Sequence, residues 1–402
     1  MIKEYFLAKS IAAAVIAVLW GALVCGSIAS LAGQSIPSLL PSRENEAVFD
    51  KAYMTKINGT LTENVLGRSV FLNLYGLLQR FLDKNEENNF EIVKDEQGFG
   101  HYMYFGEKGS LDSELVGRVA ALQAAAATQN TKVVSVIPLD RSIAGYTTFA
   151  QGLPNGYFNE RGDLYAAALQ EKGIPYLDLR EAAKERALDP AGLFFRTDHN
   201  WRVETAFWAY VELVHYLEKT QGFQADVFYL NKANYNFIRY SDYLGAMGRK
   251  TGKFYLGLDS FTLVYPKFST NFLLEIDEGT NKTTSYEGRF EKSLLSQYPF
   301  ATEADLFDPS KDKYSAYLHG YYPVGHIVNK NNPTGPKALF IKDSFAHPVI
   351  AFFANLCSEV WIIDPQQYKG SLESVMAGKR IDYVFLLVSL PDTVKEAVPL
   401  YR

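Results

Sequence analysis

Hydrophobic and polar residues follow two different periods along the chain, which predicts helices that alternate with strands. Apolar residues recur at helical spacing in Leu115–Gln129 and Leu164–Lys172, whereas Lys132–Leu139 and Pro175–Leu179 are short apolar runs typical of buried strands. Trp201–Thr220 again has the pattern of a core-facing helix. Strands that alternate with helices form parallel sheets covered on both faces. We therefore expect an α/β fold with helices on both faces of a parallel sheet.

The same alternation returns near the C-terminus. The pattern predicts strands at Ala338–Ile341, Glu359–Asp364 and Asp382–Leu390, with helices at Phe345–Leu356 and near Leu372–Ala377 between them. We expect these elements to extend the same parallel sheet.

A segment of different character separates the two α/β parts. Lys253–Asp277 contains two apolar runs around the turn-forming sequence YPKFST, and no good amphipathic helix follows it. We interpret residues 223–330 as a β-rich insertion. It divides the core into a first part at 44–222, which opens with a helical lead-in, and a second part at 331–402.

The N-terminus predicts a membrane anchor. Ser10–Ser42 contains no charged residue, and Ile11–Leu31 is long enough to span a bilayer core. Because Lys3 and Lys9 precede this run, we expect residues 1–33 to form a cytoplasmic tip and a single transmembrane helix, with the rest of the chain extracytoplasmic. A cleaved signal peptide is the alternative, although its apolar run is usually shorter.

Composition excludes several classes of function. Of 402 residues, 48% are hydrophobic and 21% charged, which predicts a packed core rather than disorder. The net charge of −5 argues against a nucleic-acid partner, which would require a basic face. Of the two cysteines, Cys25 lies in the expected anchor, so the exported part cannot form an internal disulfide. The six histidines show no metal-ligand spacing, and we expect neither a metal nor a cofactor.

Two short polar islands interrupt the apolar pattern. The first is Arg196–Asn200 in "LFFRTDHNWRVETAFW", between Leu193–Phe195, interpreted as the end of a buried strand, and a helix. The second is Lys342–Ser344, between a strand and a helix. A serine at such a junction gains backbone N–H donors and the positive end of the helix dipole, as an acyl-transfer nucleophile requires. A plain helix cap is the alternative for Ser344.

Together the islands supply the groups for serine acyl chemistry. Both are placed at carboxyl ends of predicted parallel strands, where open α/β sheets bind ligands. We predict Ser344 as the nucleophile, His199 as the base and Asp198 as the acid that orients the base. His326 and His347 are weaker candidates for the base.

The motifs "FFRTDHNW" and "LFIKDSFAHPV" resemble the DHHW family, named for its Asp-His-His-Trp motif and related to the SGNH-hydrolase-like domains of alginate O-acetyltransferases. The resemblance also covers Val136–Pro154 and Tyr243–Phe268. It implies an SGNH-hydrolase-like (flavodoxin-like) core that is membrane-anchored or exported and acts on O-acyl groups of a cell-surface polysaccharide. It further implies a multi-span membrane partner that delivers the acyl group. The related motif assigns Asp198 as the orienting acid and Ser344 as the nucleophile.

One motif position departs from the family. Asn200 stands where the related acetyltransferases carry the catalytic histidine, and an amide cannot accept a proton near neutral pH. Because neighbouring residues project in different directions, we expect only one of His199 and Asn200 to reach Ser344. Two hypotheses follow: an O-acyltransferase or acetylesterase that uses His199, or a catalytically impaired glycan-binding or polysaccharide-assembly accessory protein.

Overall fold

The computed structural model of the chain describes residues 67–103, 113–154, 156–279, 282–301 and 306–389. The chain forms two compact units, Met1–Phe81 and Leu82–Arg402. The described part of the first unit is helix α1 (Arg68–Phe81) with the glycine before it. Within the described ranges no helix is long and apolar enough to cross a membrane. The anchor expected at residues 1–33 lies outside them.

The second unit contains the predicted alternation of helices and strands. Its helices are α2 (Ser113–Ala127), α3 (Phe158–Glu171), α4 (Leu179–Glu185), α5 (Val203–Gln221), α6 (Ala246–Thr251), α7 (Phe290–Ser293), α8 (Tyr298–Ala301), α9 (Ala346–Phe353) and α10 (Leu372–Met376). Its strands are β1 (Glu86–Glu87), β2 (Ile92–Lys94), β3 (Gly100–Tyr102), β4 (Lys132–Ile137), β5 (Tyr176–Asp178), β6 (Tyr235–Tyr243), β7 (Asp259–Pro266), β8 (Phe272–Asp277), β9 (Thr283–Gly288), β10 (Val324–Asn329), β11 (Lys337–Lys342), β12 (Glu359–Ile363) and β13 (Tyr383–Leu387).

Eight of these strands form one mixed sheet in the order β5-β4-β13-β11-β12-β10-β8-β9. The strands from β5 to β12 in this order run parallel, as predicted, and β11 lies in the interior of the sheet. The prediction of a wholly parallel sheet is wrong beyond β12, because β10, β8 and β9 pair in antiparallel fashion. Parallel pairing requires a long crossover, whereas antiparallel strands need only short connections. The segment 223–330 supplies such strands without a long helix.

Alternate residues of β11 show how the helices cover both faces of the sheet. Ala338 and Phe340 belong to a core cluster that includes residues of α5 and α9. Leu339 and Ile341 belong to a second cluster, with residues of α2, α3 and α10. Successive strand residues point to opposite faces, so an uninterrupted apolar run is required where both faces are buried.

Two smaller sheets complete the second unit. Strands β1, β2 and β3 form one, and β6 and β7 form the other. The two strands predicted around YPKFST are confirmed as β7 and β8, but they belong to different sheets, since β7 pairs with β6 and β8 with β10 and β9. The chain thus leaves the large sheet after β5 and returns to it at β8.

Candidate active site

Ser344 lies just beyond the carboxyl end of β11, before helix α9 begins. The neighbouring Asp343 holds this turn, since its carboxylate accepts hydrogen bonds from the N–H of Phe345 at 3.0 Å and from the backbone N–H and hydroxyl of Ser389, each at 2.6 Å. Burial raises the pKa of Asp343. Because Asp343 accepts from the backbone at the helix start while the Ser344 hydroxyl bonds to other side chains, the structure does not support a plain cap role for Ser344.

The first polar island lies on a loop and not at the end of a strand. Phe194 makes one isolated antiparallel bridge with Trp201, and α5 begins at Val203. The interpretation of Leu193–Phe195 as a strand end is therefore wrong: these residues are buried by packing and not by pairing in the sheet. The indole Nε1 of Trp201 donates to the carbonyl of Phe345 at 3.0 Å, which brings the loop to the start of α9.

Two charged side chains from other elements hold the backbone of this loop. The guanidinium of Arg141, which follows β4, donates to three carbonyl groups, those of Phe195, Arg196 and Asp198. The buried carboxylate of Asp259, at the start of β7, accepts from the backbone N–H of Arg196 at 2.9 Å and of Thr197 at 2.8 Å. It also accepts from the Thr197 hydroxyl at 2.7 Å. Backbone groups outside regular structure need such partners when they are buried.

Asp198 is enclosed and has a fixed orientation. It is 1% exposed, and its Oδ1 accepts from the backbone N–H and from Nδ2 of Asn200, both at 2.9 Å. Its Oδ2 accepts from the N–H of Ala246 at 2.7 Å and from the hydroxyl of Tyr243 at 3.1 Å. Burial raises the pKa of Asp198, but the contact with His199 and the backbone hydrogen bonds lower it by more, so the pKa lies well below its usual range. Asp198 is therefore a carboxylate.

Gly245 lies against Asp198 so closely that no side chain fits. A Cβ at this position would lie 2.3 Å from the Cβ of Asp198 and 2.5 Å from its Oδ2. The φ of Gly245 is −73°, which any residue adopts, so the lack of space and not the backbone conformation requires glycine here. Gly245 falls in a stretch covered by the family resemblance, but nothing in the sequence indicated its contact.

Asn200 faces the predicted nucleophile. The Ser344 Oγ lies 2.9 Å from Asn200 Oδ1. The orientation of the Asn200 amide follows from its hydrogen bond to Asp198. A carboxylate only accepts hydrogen bonds, so Nδ2 must face Asp198 and Oδ1 must face Ser344. The Ser344 hydroxyl therefore donates its hydrogen to Oδ1. An amide oxygen accepts this bond but cannot remove the proton.

His199 approaches Ser344 from a second direction. Its Nε2 lies 3.4 Å from Ser344 Oγ, and its Nδ1 lies 3.2 Å from Asp198 Oδ1. The Nδ1 contact is close but not aligned as a hydrogen bond, so Asp198 acts on the ring through its negative charge. Burial lowers the pKa of His199, but the Asp198 carboxylate raises it by more, which leaves it above its ordinary value.

The expectation that only one of His199 and Asn200 would reach Ser344 is wrong. Both side chains do so because residues 198–200 form a turn around the Asp198 carboxylate, which accepts a hydrogen bond from the backbone N–H of Asn200. The two polar islands thus lie together, with Asp198, His199 and Asn200 beside Ser344.

The two weaker histidine candidates have other surroundings. The ring of His326 contacts Glu359 at 2.8 Å and stacks on Trp361, with 4.8 Å between ring centroids. The ring of His347 is fully buried beside Tyr321, and burial lowers its pKa. Neither ring bonds to Ser344. In the described ranges no group of three or more metal-binding side chains could hold a metal ion.

Comparisons with known proteins agree with this architecture. The chain is similar in structure to PatB1 from Bacillus cereus, with a TM-score of 0.58 and 17% identity over 74% of this chain and 95% of that one. The same protein with a sulfonyl adduct gives a TM-score of 0.58, 16% identity and coverage of 74% and 93%. A DHHW family protein from Eubacterium siraeum gives a TM-score of 0.53 and 15% identity over 76% of this chain and 93% of that one. At these identities the likeness shows the fold.

The sequence itself matches one family model. Residues 106–235, which include the loop of the first polar island, match the SGNH hydrolase-like domain of the acetyltransferase AlgX. No curated protein sequence matches the chain. The fold is thus SGNH-hydrolase-like, and the resemblance drawn from the two motifs is confirmed.

Proposed function

We propose that the chain is an SGNH-like serine O-acyltransferase or acetylesterase in which Ser344 is the nucleophile, His199 the base and Asp198 the orienting acid. The observation that carries this proposal is that His199 lies 3.4 Å from Ser344 Oγ and 3.2 Å from Asp198 Oδ1 at the carboxyl edge of the sheet. The similarity of residues 106–235 to an acetyltransferase domain supports the same reaction class.

The geometry suggests how the nucleophile is activated. The Ser344 hydroxyl donates to Asn200 Oδ1, so it must rotate to donate to His199 Nε2. His199 then takes the proton as Ser344 Oγ attacks the acyl carbonyl, and the Asp198 carboxylate stabilises the imidazolium that forms. The backbone N–H of Ser344, at the positive end of α9, is the donor we assign to the tetrahedral oxyanion.

The second half of the reaction uses the same groups. When the tetrahedral intermediate collapses, the leaving oxygen takes the proton from His199, and the acyl group stays on Ser344. A hydroxyl of the acceptor, or water, then gives its proton to His199 and attacks the acyl-serine. The second tetrahedral intermediate collapses when its bond to Ser344 Oγ breaks and His199 returns the proton to that oxygen. This releases the O-acylated product after attack by a hydroxyl, or the free acid after attack by water.

We extend the proposal to substrate and location. The acceptor is a cell-surface polysaccharide, as the motif resemblance implies, and the match of residues 106–235 to an acetyltransferase domain is consistent with an O-acyl transfer. The uncharged run Ser10–Ser42 supports a single membrane anchor with the site extracytoplasmic. A multi-span membrane protein would then supply the acyl group.

One observation favours a second candidate function. The Ser344 hydroxyl lies nearer to Asn200 Oδ1, at 2.9 Å, than to His199 Nε2, at 3.4 Å, so its hydrogen points at an amide oxygen that cannot remove the proton. A glycan-binding or polysaccharide-assembly protein on the same fold would tolerate this arrangement.

Covalent labelling separates the two candidates. Full-length chain in detergent is treated with a fluorophosphonate, with a sulfonyl fluoride as a second probe, and the labelled residue is identified by mass spectrometry. The enzyme proposal expects labelling at Ser344 that disappears in Ser344→Ala and falls at least about 100-fold in rate in His199→Ala. A wild-type chain that stays unlabelled while it binds polysaccharide would favour the second candidate.

A further inference from the structure

We propose that Arg141 is a positioning residue of this site, which fixes the backbone of the Asp198–Asn200 tripeptide and opposes, with its positive charge, the negative charge of Asp198 at the His199 ring. This inference rests on the proposed function only in that it takes His199 to be the catalytic base. Its two physical effects are properties of the chain and can be measured without activity.

The contacts of Arg141 show the first effect. Its guanidinium donates to the carbonyl of Asp198 and to those of the two residues that begin the loop, Phe195 and Arg196. The planar group also lies over the rings of Phe99 and Phe194, at 5.6 and 5.8 Å from their centroids. A planar fork with several fixed donors suits three carbonyls, whereas a lysine ammonium would not reach them all in this geometry.

The charges around His199 show the second effect. Two carboxylates act on the ring, Asp198 in contact with it and Asp343 next to Ser344, and both raise the pKa of His199. Arg141 is the cation that acts against them. Its own pKa falls through burial to about 10, so it stays charged at neutral pH. The ring also contacts the Ser344 hydroxyl and the aromatic rings of Tyr102 and Phe345, which carry no charge at neutral pH.

This balance of charges sets the fraction of His199 that is neutral and able to act as a base. Without Arg141, only burial would oppose the two carboxylates, so the ring would hold its proton over a wider range of pH and a smaller fraction of it could accept one from Ser344. Asp198 and His199 are adjacent in one loop, so the carboxylate stays close to the ring and keeps raising its pKa. A cation bound to the backbone of the same loop reduces the excess negative charge without touching the reacting atoms.

Histidine titration by NMR tests the charge effect. Full-length chain labelled at histidine Cε1 is titrated as wild type, Arg141→Gln and Arg141→Lys, and the His199 signal is assigned by its loss in His199→Ala. We expect Arg141→Gln to raise the His199 midpoint by about one pH unit and Arg141→Lys to leave it within a few tenths. The signal of the exposed His215 serves as the reference for an unchanged fold. Arg141→Met repeats the neutral case if the glutamine variant does not fold.

Hydrogen exchange at the Trp201 indole tests the positioning effect, since this group donates to Phe345 and reports how the loop is seated. We expect at least about tenfold faster exchange in Arg141→Lys, with the other indoles as internal references. An unchanged His199 midpoint in Arg141→Gln, an equal rise in Arg141→Lys, or unchanged Trp201 exchange in Arg141→Lys would overturn the proposal. Absence of fluorophosphonate labelling in wild type would refute the proposed function and leave these results standing.

Discussion

Substitution of Gly245 by alanine should displace the orienting acid. The added Cβ would lie 2.3 Å from the Cβ of Asp198, whereas unbonded carbons pack at about 3.5–4.0 Å, so one of the two backbones must move by roughly 1 Å or more. Such overpacking typically costs about 1–3 kcal/mol of the free energy of unfolding. The movement also strains the hydrogen bond from the N–H of Ala246 to Asp198, which is 2.7 Å long. A misplacement of about 1 Å in a catalytic group lowers turnover by about 100-fold.

Chemical denaturation and histidine titration measure the two consequences of Gly245→Ala. We expect a lower free energy of unfolding and a lower pKa for His199, because its carboxylate partner moves away. Gly117→Ala is the matched control: Gly117 lies on helix α2 with nothing within 4 Å of an added Cβ, and this change should be neutral or stabilising. A Gly245→Ala chain as stable as wild type, with an unchanged His199 titration, would refute the steric argument.

Two further predictions concern stability. Trp201→Phe removes the indole hydrogen bond to the carbonyl of Phe345, which keeps the Tyr314 hydroxyl as a donor at 3.4 Å, and should lower the free energy of unfolding by about 0.5–1.5 kcal/mol in a denaturant titration; an unchanged midpoint would contradict this. The raised pKa of His199 contributes stability that is present at low pH and lost as pH rises through the folded value, whereas the lowered pKa of Asp198 contributes stability that is lost as pH falls. Destabilisation by Asp198→Asn should therefore be largest between about pH 4 and 6.5 and smaller above that range, and a difference that stays constant up to pH 9 would argue against the pair.

Periodicity predicted most of the large sheet because the interior strands of its parallel part are buried on both faces. An apolar run such as Ala338–Ile341 is buried on both faces only in the interior of the sheet of an α/β fold, and β11 lies there between β12 and β13. The antiparallel strands were harder to place, since the pattern of β8 shows a half-buried strand but not its partner. Pairing depends on connections between segments and not on the strand itself.

The sequence indicated which side chains form the candidate site but not how the fold holds them in place. Short polar islands between apolar runs drew attention to Asp198, His199 and Ser344, because the chain places polar residues there for a reason other than solubility. Arg141 and Asp259 gave no such signal. Charged residues are common in loops, and only the folded chain shows that these two bind the backbone of the motif loop.

The rate of hydrolysis of a simple acetyl ester by His199→Ala and by Asn200→Ala, against wild type with Ser344→Ala as the blank, tests the central claim most directly. If His199 is the base, wild type turns over, His199→Ala loses about 10⁴-fold or more, and Asn200→Ala stays within about tenfold of wild type. Equal rates in wild type and His199→Ala would contradict the account. So would activity that appears only in Asn200→His, because the nucleophile and acid would then have lacked a working base in the natural chain.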